Sequence, residues 1–275
     1  MTLALLDRAR AVVFTDLDGT LLDHESYSWD AAVPALEALK AAGVPLVLAS
    51  SKTAAEIADL HADLGLAEIP AIVENGAGLF RPGEDGDDDS AYRSLRRALE
   101  ALPKELRVFF RGFGDMSAFE VADITGLSRD AAALARTRQH SEPGLWAGDA
   151  ATLEAFVAAL GAQDIAARRG GRFLTLSFGA TKADRMAEIT TGLGATTSLA
   201  LGDAPNDVEM LKAADTGVIV KNDHVPPLPR LTGEDAGRIT RTEAPGPAGW
   251  NLAVLDWLGA LDRDRFGLTR SEQEF

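Results

Sequence analysis

One segment sets the terms for any fold of this chain: an apolar run that ends in two carboxylates. Val12-Val13-Phe14-Thr15-Asp16-Leu17-Asp18-Gly19-Thr20 reads as a buried β-strand that breaks into a loop and returns to apolar Leu21-Leu22. At the carboxyl end of such a strand, Asp16 can present a carboxylate oxygen as a nucleophile. Asp18, two residues on, is close enough to act as acid and base on the same substrate. Gly19 lets the backbone turn where a Cβ would obstruct it. Carboxylates this close repel, and a hard cation such as Mg²⁺ between them resolves the repulsion. The plain alternative is a strand end with two solvated turn aspartates.

Three further segments follow in order. Pro45-Leu46-Val47-Leu48-Ala49-Ser50-Ser51-Lys52-Thr53 is a strand that ends in hydroxyls and runs into a helix, with Thr53 and Glu56 spaced as a capping box. Hydroxyls and backbone N–H groups at a helix start suit a phosphoryl oxygen. Lys182 offers a cationic clamp. Leu199-Ala200-Leu201-Gly202-Asp203-Ala204-Pro205-Asn206-Asp207 is a second apolar strand running into carboxylates, with Pro205 fit for a first helical turn.

Between these segments the pattern alternates. Strands are expected at 11–15, 44–49 and 69–73 and helices at 29–42 and 54–64, a βαβαβ rhythm that implies a parallel sheet covered by helices. The stretch 81–90 is turn-rich and acidic and reads as an exposed linker or insertion. The middle is mixed. Strands are expected at 108–113, 145–146, 165–169 and 173–178, with Gly170-Gly171 turning the last pair. Helices are expected at 117–125 and 128–137, each opened by a Ser cap, and at 152–160. The first rhythm then returns, with helices at 184–193 and 207–213 and strands at 198–201 and 216–220. A Pro/Gly-rich connector, 243–250, precedes a last helix near 252–261. The organisation expected is an α/β core, 1–82 with 179–275, and an inserted α+β block, 83–178.

The 275 residues carry a formal net charge of −15. That argues against a nucleic-acid partner, because a phosphate backbone demands basic surface. A phosphate ester can then be held only where the site is locally positive, through Mg²⁺, lysines and helix N-termini. Lysine is scarce, and Lys52 and Lys182 both fall in candidate segments. With 46% hydrophobic residues the chain can bury substantial cores. Cysteine is absent, which excludes disulfides and thiolate–metal sites and fits a reducing compartment. Met1–Arg10 lacks the long apolar region of a signal peptide, and no apolar run reaches membrane-spanning length. The expected location is cytoplasmic, with no membrane partner.

The four segments together resemble the motifs of the haloacid dehalogenase superfamily of phosphatases, whose core is a Rossmann-like parallel sheet. More narrowly, the chain resembles the mannosyl-3-phosphoglycerate phosphatase family over most of its length. The matching signatures are Ala49-Ser50-Ser51-Lys52-Thr53, Val73-Glu74-Asn75-Gly76, Gly112-Phe113-Gly114-Asp115, Thr125-Gly126-Leu127-Ser128, Arg138-Gln139-His140-Ser141-Glu142-Pro143, Arg169-Gly170-Gly171-Arg172-Phe173 and Ala244-Pro245-Gly246-Pro247. The resemblance implies a Mg²⁺-dependent phosphatase that forms an aspartyl-phosphate and releases mannosylglycerate, a compatible solute, with the inserted block as a cap that selects substrate.

On this resemblance Asp16, Asp18, Ser50 and Lys182 are catalytic. Asp16, Asp18 (through its backbone carbonyl) and Asp203 hold Mg²⁺, with Asp207 a second-shell or water-mediated ligand. Ser51, Lys52, Asn75, Arg138, Glu142, Gly170, Gly171, Arg172 and Asn206 are expected at the substrate, Asn206 by orienting Lys182. Arg138 and Glu142 have a plainer alternative as a surface ion pair, Arg172 as a surface charge, and Asn75 as a residue that only satisfies its turn. The chain departs from the family at Ala183, at Ala204 and at Gln139-His140, the last pair bearing on the choice of sugar. Two further functions compete: a phosphatase for glucosyl-3-phosphoglycerate or a sucrose-phosphate-like ester, and a non-catalytic sensor of Mg²⁺ and a phosphometabolite.

Overall fold

The computed structural model describes residues 11–66, 68–83, 88–170 and 172–266. Met1–Arg10, Gly171 and positions 84–87 of the acidic stretch lie outside the described residues. In chain order the elements are β1 (Ala11–Thr15), α1 (Val33–Ala42), β2 (Leu46–Leu48), α2 (Ala54–Asp63), β3 (Ala71–Val73), β4 (Gly78–Phe80), α3 (Ser90–Glu100), α4 (Lys104–Arg107), β5 (Phe110–Gly112), α5 (Ala118–Thr125), α6 (Arg129–Ala135), β6 (Ser141–Trp146), α7 (Ala150–Gly161), β7 (Ala166–Gly170), β8 (Phe173–Ser177), α8 (Lys182–Leu193), β9 (Thr197–Gly202), α9 (Val208–Ala213), β10 (Thr216–Lys221), β11 (Ile239–Pro245) and α10 (Gly246–Phe266). They form an α/β fold of two compact units. One takes in the chain up to Val47 and again from Ile189, and the other is Leu48–Glu188.

The first unit is built on a five-stranded sheet of order β11-β10-β9-β1-β2. β1, β9, β10 and β11 run parallel. All five residues of β1 are buried, and its register on β9 runs from Ala11 opposite Thr197 to Thr15 opposite Leu201. From β1 the chain steps to β2 on one side, while β9 lies on the other. The carboxyl ends of β1 and β9 therefore flank a topological switch point, where open α/β sheets bind their ligands. Helix α10 braces this point. Trp250 is fully buried, and its indole Nε1 donates to Thr15 Oγ1 at 2.9 Å. Asn251 Oδ1 accepts from the Ala35 amide at 2.9 Å, at the first turns of α1.

The second unit carries an antiparallel sheet of order β5-β6-β8-β7. Leu95 and Leu99 of α3, Phe156 and Leu160 of α7, and Phe110, Leu174 and Leu176 of the sheet form one buried cluster. The expected helix starts are present. Ser117 and Ser128 accept from the Glu120 and Ala131 amides, and Thr53 with Glu56 forms the capping box.

Several elements differ from the sequence reading. β3 is not a third strand of the parallel sheet: it pairs antiparallel with β4 and joins the end of β2 through one parallel bridge, Ala49 to Ile72. α3 is a full helix where none was expected. β6 extends back to Ser141, and Pro143 is tolerated because it stands past the end of β5, which pairs only with Gly144–Trp146. The expected connector at 243–250 is split between β11, an edge strand that can end in Pro245, and α10, which starts at Gly246 with Pro247 in its first turn.

The Trp250–Thr15 bond predicts that Trp250→Phe lowers unfolding free energy by about 1–3 kcal/mol, from the lost hydrogen bond and the smaller ring. Urea denaturation measures this. A change within about 0.5 kcal/mol, the size of an ordinary surface substitution, would show that the bond does not brace β1.

Candidate active site

Asp16 leaves the sheet at the end of β1, its amide donating to Leu201 O of β9 at 2.9 Å. Asp203 leaves at the end of β9. Asp207 sits in the turn Pro205–Asp207 that precedes α9. All three are buried, and one carboxylate oxygen from each lies within 4.8 Å of the others. Asp207 Oδ2 accepts from the Asp203 amide at 3.1 Å and the Ala204 amide at 3.0 Å, so it shapes the loop that presents Asp203. Those donors are backbone, and Ala204 serves as well there as Ser. Gly202 is needed for the approach: a Cβ on it would lie 2.5 Å from Asp207 Cβ. Asp18 is half-buried in a tight loop closed by Gly19 N to Leu22 O and Leu22 N to Leu17 O, at 2.9 and 2.8 Å.

Three acids in one buried place repel, and their donors are all oxygen. That is the chemistry of a hard divalent cation site, and Mg²⁺ fits it.

The second unit gathers the hydroxyl-rich loop, the Glu74–Gly76 turn and the start of α8. The Ser50 amide donates to Ile72 O at 2.9 Å, Glu74 N to Lys52 O at 2.9 Å, and Asn75 N to Ser50 O at 2.9 Å. Glu74 and Asn75 both hold positive φ, 51° and 59°, a conformation unusual for non-glycine residues. Gly76, at φ 92°, lies so close to α8 that a Cβ there would stand 2.0 Å from the Thr181 carbonyl carbon and 2.3 Å from Lys182 N. Lys182 itself is buried.

Glu74 holds this arrangement together, and the sequence reading gave it no role. Its side chain is fully buried, and its carboxylate accepts from the amides of Gln139, His140 and Ser141 at 2.9, 3.3 and 2.8 Å and from Ser141 Oγ at 2.7 Å. Arg138 donates to Ser51 O at 3.0 Å and to Ala135 O at 2.9 Å, and its guanidinium lies 4.0 Å from Glu74. The Ser50–Lys52 loop, the Asn75 turn and the Arg138–Ser141 segment are thus tied to one another through one carboxylate and one guanidinium.

The surface ion pair between Arg138 and Glu142 is not how these two are used. Glu142 Oε1 accepts from Gly114 N at 2.7 Å and pairs with Arg96 at 3.3 Å, with its side chain fully buried. Gly112 makes the room, since a Cβ there would lie 1.9 Å from Glu142 Oε1. The Gly112–Asp115 signature is therefore a cradle for Glu142, and Asp115 braces it through Arg96 and Arg107 at 2.6 and 2.9 Å. Arg172 is exposed beside the Phe173 ring, Gly170 closes β7 opposite Phe173, and Asn206 is exposed in the turn before α9. Gly171 lies outside the described residues.

A parallel sheet with a carboxylate centre at its switch point defines a class of α/β protein. Within that class the chain belongs to the haloacid dehalogenase-like hydrolases: a profile of that family matches residues 13–92 and 164–226, just over half of the chain. Solved structures share the fold. The sucrose-phosphatase of Synechocystis sp. PCC6803, solved with sucrose and phosphate, is similar at TM-score 0.60 and 15% identity, over 92% of this chain and 98% of that one. A HAD subclass IIB sugar phosphatase is similar at TM-score 0.56 and 17% identity, over 94% and 100%. A hypothetical protein of Geobacillus kaustophilus HTA426 gives 0.60 and 20%, over 90% and 98%. At these identities the likeness is one of fold. Among the described residues, no helix is long and apolar enough to cross a membrane.

Two predictions follow from these buried acids. Glu74→Gln turns an amide nitrogen toward groups that are all donors, and is expected to cost on the order of 2–3 kcal/mol of stability in chemical denaturation. A loss below about 1 kcal/mol would deny Glu74 its tying role. For Glu142, burial lifts the carboxyl above its usual range, opposed by the Tyr92 hydroxyl, the Gly114 amide and Arg96. A folded-state pKa raised above the unfolded one gives stability that is fully present below the ordinary glutamate range and lost as pH rises through the folded value. Glu142→Gln is expected to remove that fall, seen by comparing melting temperatures of both proteins from about pH 4 to pH 7. Identical pH slopes would contradict it.

Proposed function

We propose that this protein is a divalent-cation-dependent phosphomonoesterase of sugar phosphates, and that its substrate is mannosyl-3-phosphoglycerate, released as mannosylglycerate and phosphate. The buried Asp16–Asp203–Asp207 cluster at the β1/β9 switch point carries the reading. The sugar is supported by the sequence signatures of 49–53, 73–76, 138–143 and 169–173 and by folds shared with a sucrose-phosphatase and a sugar phosphatase.

The chemistry proceeds in two displacements. The Asp16 carboxylate attacks phosphorus as the bond to the glycerate oxygen breaks, and Asp18 gives its proton to that leaving oxygen. Asp18 then takes a proton from the water that attacks the aspartyl-phosphate, which frees phosphate and restores the Asp16 carboxylate. Ser50 and Lys182 are assigned to the transferring phosphoryl group, a hydroxyl and a cation against its developing charge. Asp16, Asp203, the Asp18 carbonyl and, through water, Asp207 would hold Mg²⁺, which supplies charge stabilisation at the phosphoryl oxygens. Residues 83–178 are assigned the part of a substrate-selecting cap. Arg172 is the anion contact on that cap, Lys52, Ser51 and Asn75 face the phosphorylated end, and Glu74 with Glu142 keeps the Arg138 segment in shape.

A second reading, glucosyl-3-phosphoglycerate or sucrose phosphate as substrate, is favoured by the sucrose-phosphatase fold and by Gln139-His140. Phosphate release from a panel of the three esters decides between them. The mannosyl ester is expected to give the highest kcat/KM, and a higher value for either competitor would transfer the assignment. Activity is expected to vanish in excess EDTA and return with Mg²⁺, and Asp16→Asn is expected to abolish turnover without unfolding the protein. Arg172→Ala is expected to lower kcat/KM at least about tenfold for the sugar phosphoglycerate and little for p-nitrophenyl phosphate, which lacks the remote anion. Parallel losses on both esters would return Arg172 to the surface.

A further inference from the structure

Asp203 is held at both carboxylate oxygens by groups outside the acid cluster. Thr20 Oγ1 donates to Oδ1 at 3.0 Å, and Asn222 Nδ2 donates to Oδ2 at 2.7 Å. Asn222 follows β10, the neighbour of β9, so a residue on an adjacent strand's exit steadies the acid on this one.

The amide can face only one way. Asn222 Oδ1 accepts from the His224 amide at 2.9 Å, which leaves Nδ2 toward Asp203. The His224 ring in turn stacks on His24, with centroids 4.3 Å apart and planes at 13°. His24 belongs to the loop after Asp16 and Asp18, where Asp23 Oδ1 accepts from Ser26 N and Oγ at 2.9 and 2.7 Å. Gly19, at φ 79°, keeps the space open: a Cβ there would stand 2.2 Å from Asn222 Nδ2. An amide fixed at its own oxygen, aimed at a carboxylate in a cation-binding cluster, and given room by a neighbouring glycine is built to set that carboxylate's rotation. Donors of this kind orient ligands and tune the affinity of a metal site.

We propose that Asn222 is a positioning residue for the cation, setting the Asp203 carboxylate through the Nδ2–Oδ2 bond, with the His24–His224 stack holding the loop in place. This rests on the Mg²⁺ reading of the acid cluster and extends it to a residue outside the four motif segments. The test is a thermal-shift titration of the whole chain with MgCl₂ alone, comparing wild type, Asn222→Ala, Asn222→Ser, Asp203→Asn and Val225→Ala.

Wild type is expected to gain melting temperature with Mg²⁺ and Asp203→Asn to lose most of that gain. Both Asn222 variants are expected to need about tenfold more Mg²⁺ for the same gain. In the phosphatase assay their kcat is expected to recover at saturating Mg²⁺, with only the Mg²⁺ requirement raised. Val225, on the same loop, has no polar side-chain group to offer Asp203, so its truncation reports loosening of the loop alone and is expected to bind Mg²⁺ as wild type does. Unchanged Mg²⁺ dependence in Asn222→Ala and Asn222→Ser overturns the proposal while the cation reading stands. An equal loss in Val225→Ala also overturns it, since the loop rather than the bond would then be responsible. No Mg²⁺ response in wild type removes the cation reading itself.

Discussion

Like charges gathered out of water are the constraint on which the first unit depends. Asp16, Asp203 and Asp207 meet because β1 and β9 are paired in parallel and in register, which brings their carboxyl ends to one level of the sheet. Each acid then needs compensation. Asp207 takes two backbone amides, and Asp203 takes a hydroxyl and an amide side chain. Those bonds lower the cost of burial without neutralising the group, and the remaining repulsion favours a hard cation. The glycines at 19 and 202 are consequences of the same demand, since each stands where a Cβ would collide with a group serving the cluster.

The second unit solves a different problem with one buried acid. Three loop segments, carrying Ser50, Asn75 and Arg138, have to be held to one another. Glu74 fixes them by accepting four hydrogen bonds from 139–141, while its backbone and that of Asn75 bond to the 50–52 loop. The two positive φ angles at 74 and 75 store strain that this dense bonding overcomes. Glu142, the residue after Ser141, repeats the device, seated on Gly112 and Gly114 and balanced by Arg96.

The sequence made local chemistry plain and long-range chemistry obscure. β1 falls on 11–15 as read, because five consecutive apolar or β-branched residues ending in a polar turn leave little choice. Helix starts at Thr53, Ser117 and Ser128 were legible because a cap is a bond across three residues. α3 was missed because its arginines hide a short apolar face, Leu95 and Leu99, and its start follows an acidic stretch. β11 was missed because only Ile239 in it is fully buried and its Pro245 and Gly246 read as a break. β3 left the parallel sheet because the left-handed turn after it folds the chain straight back into β4, and no residue pattern showed that Glu74 and Asn75 would adopt that conformation. Glu74 and Asn222 act on partners 65 and 19 positions away, so their work could not be read from spacing.

The central claim is that the buried end of β1 delivers a nucleophilic carboxylate. It is tested most directly by acid-quenching the Asp18→Asn enzyme after mixing with Mg²⁺ and an ester with a good leaving group, then weighing the peptide that contains Asp16. With the second displacement slowed, the account predicts that this peptide gains the mass of one phosphoryl group, and that Asp16→Asn never does. Phosphate released over repeated turnovers with no such adduct at any quench time, or an adduct on another residue, would contradict it.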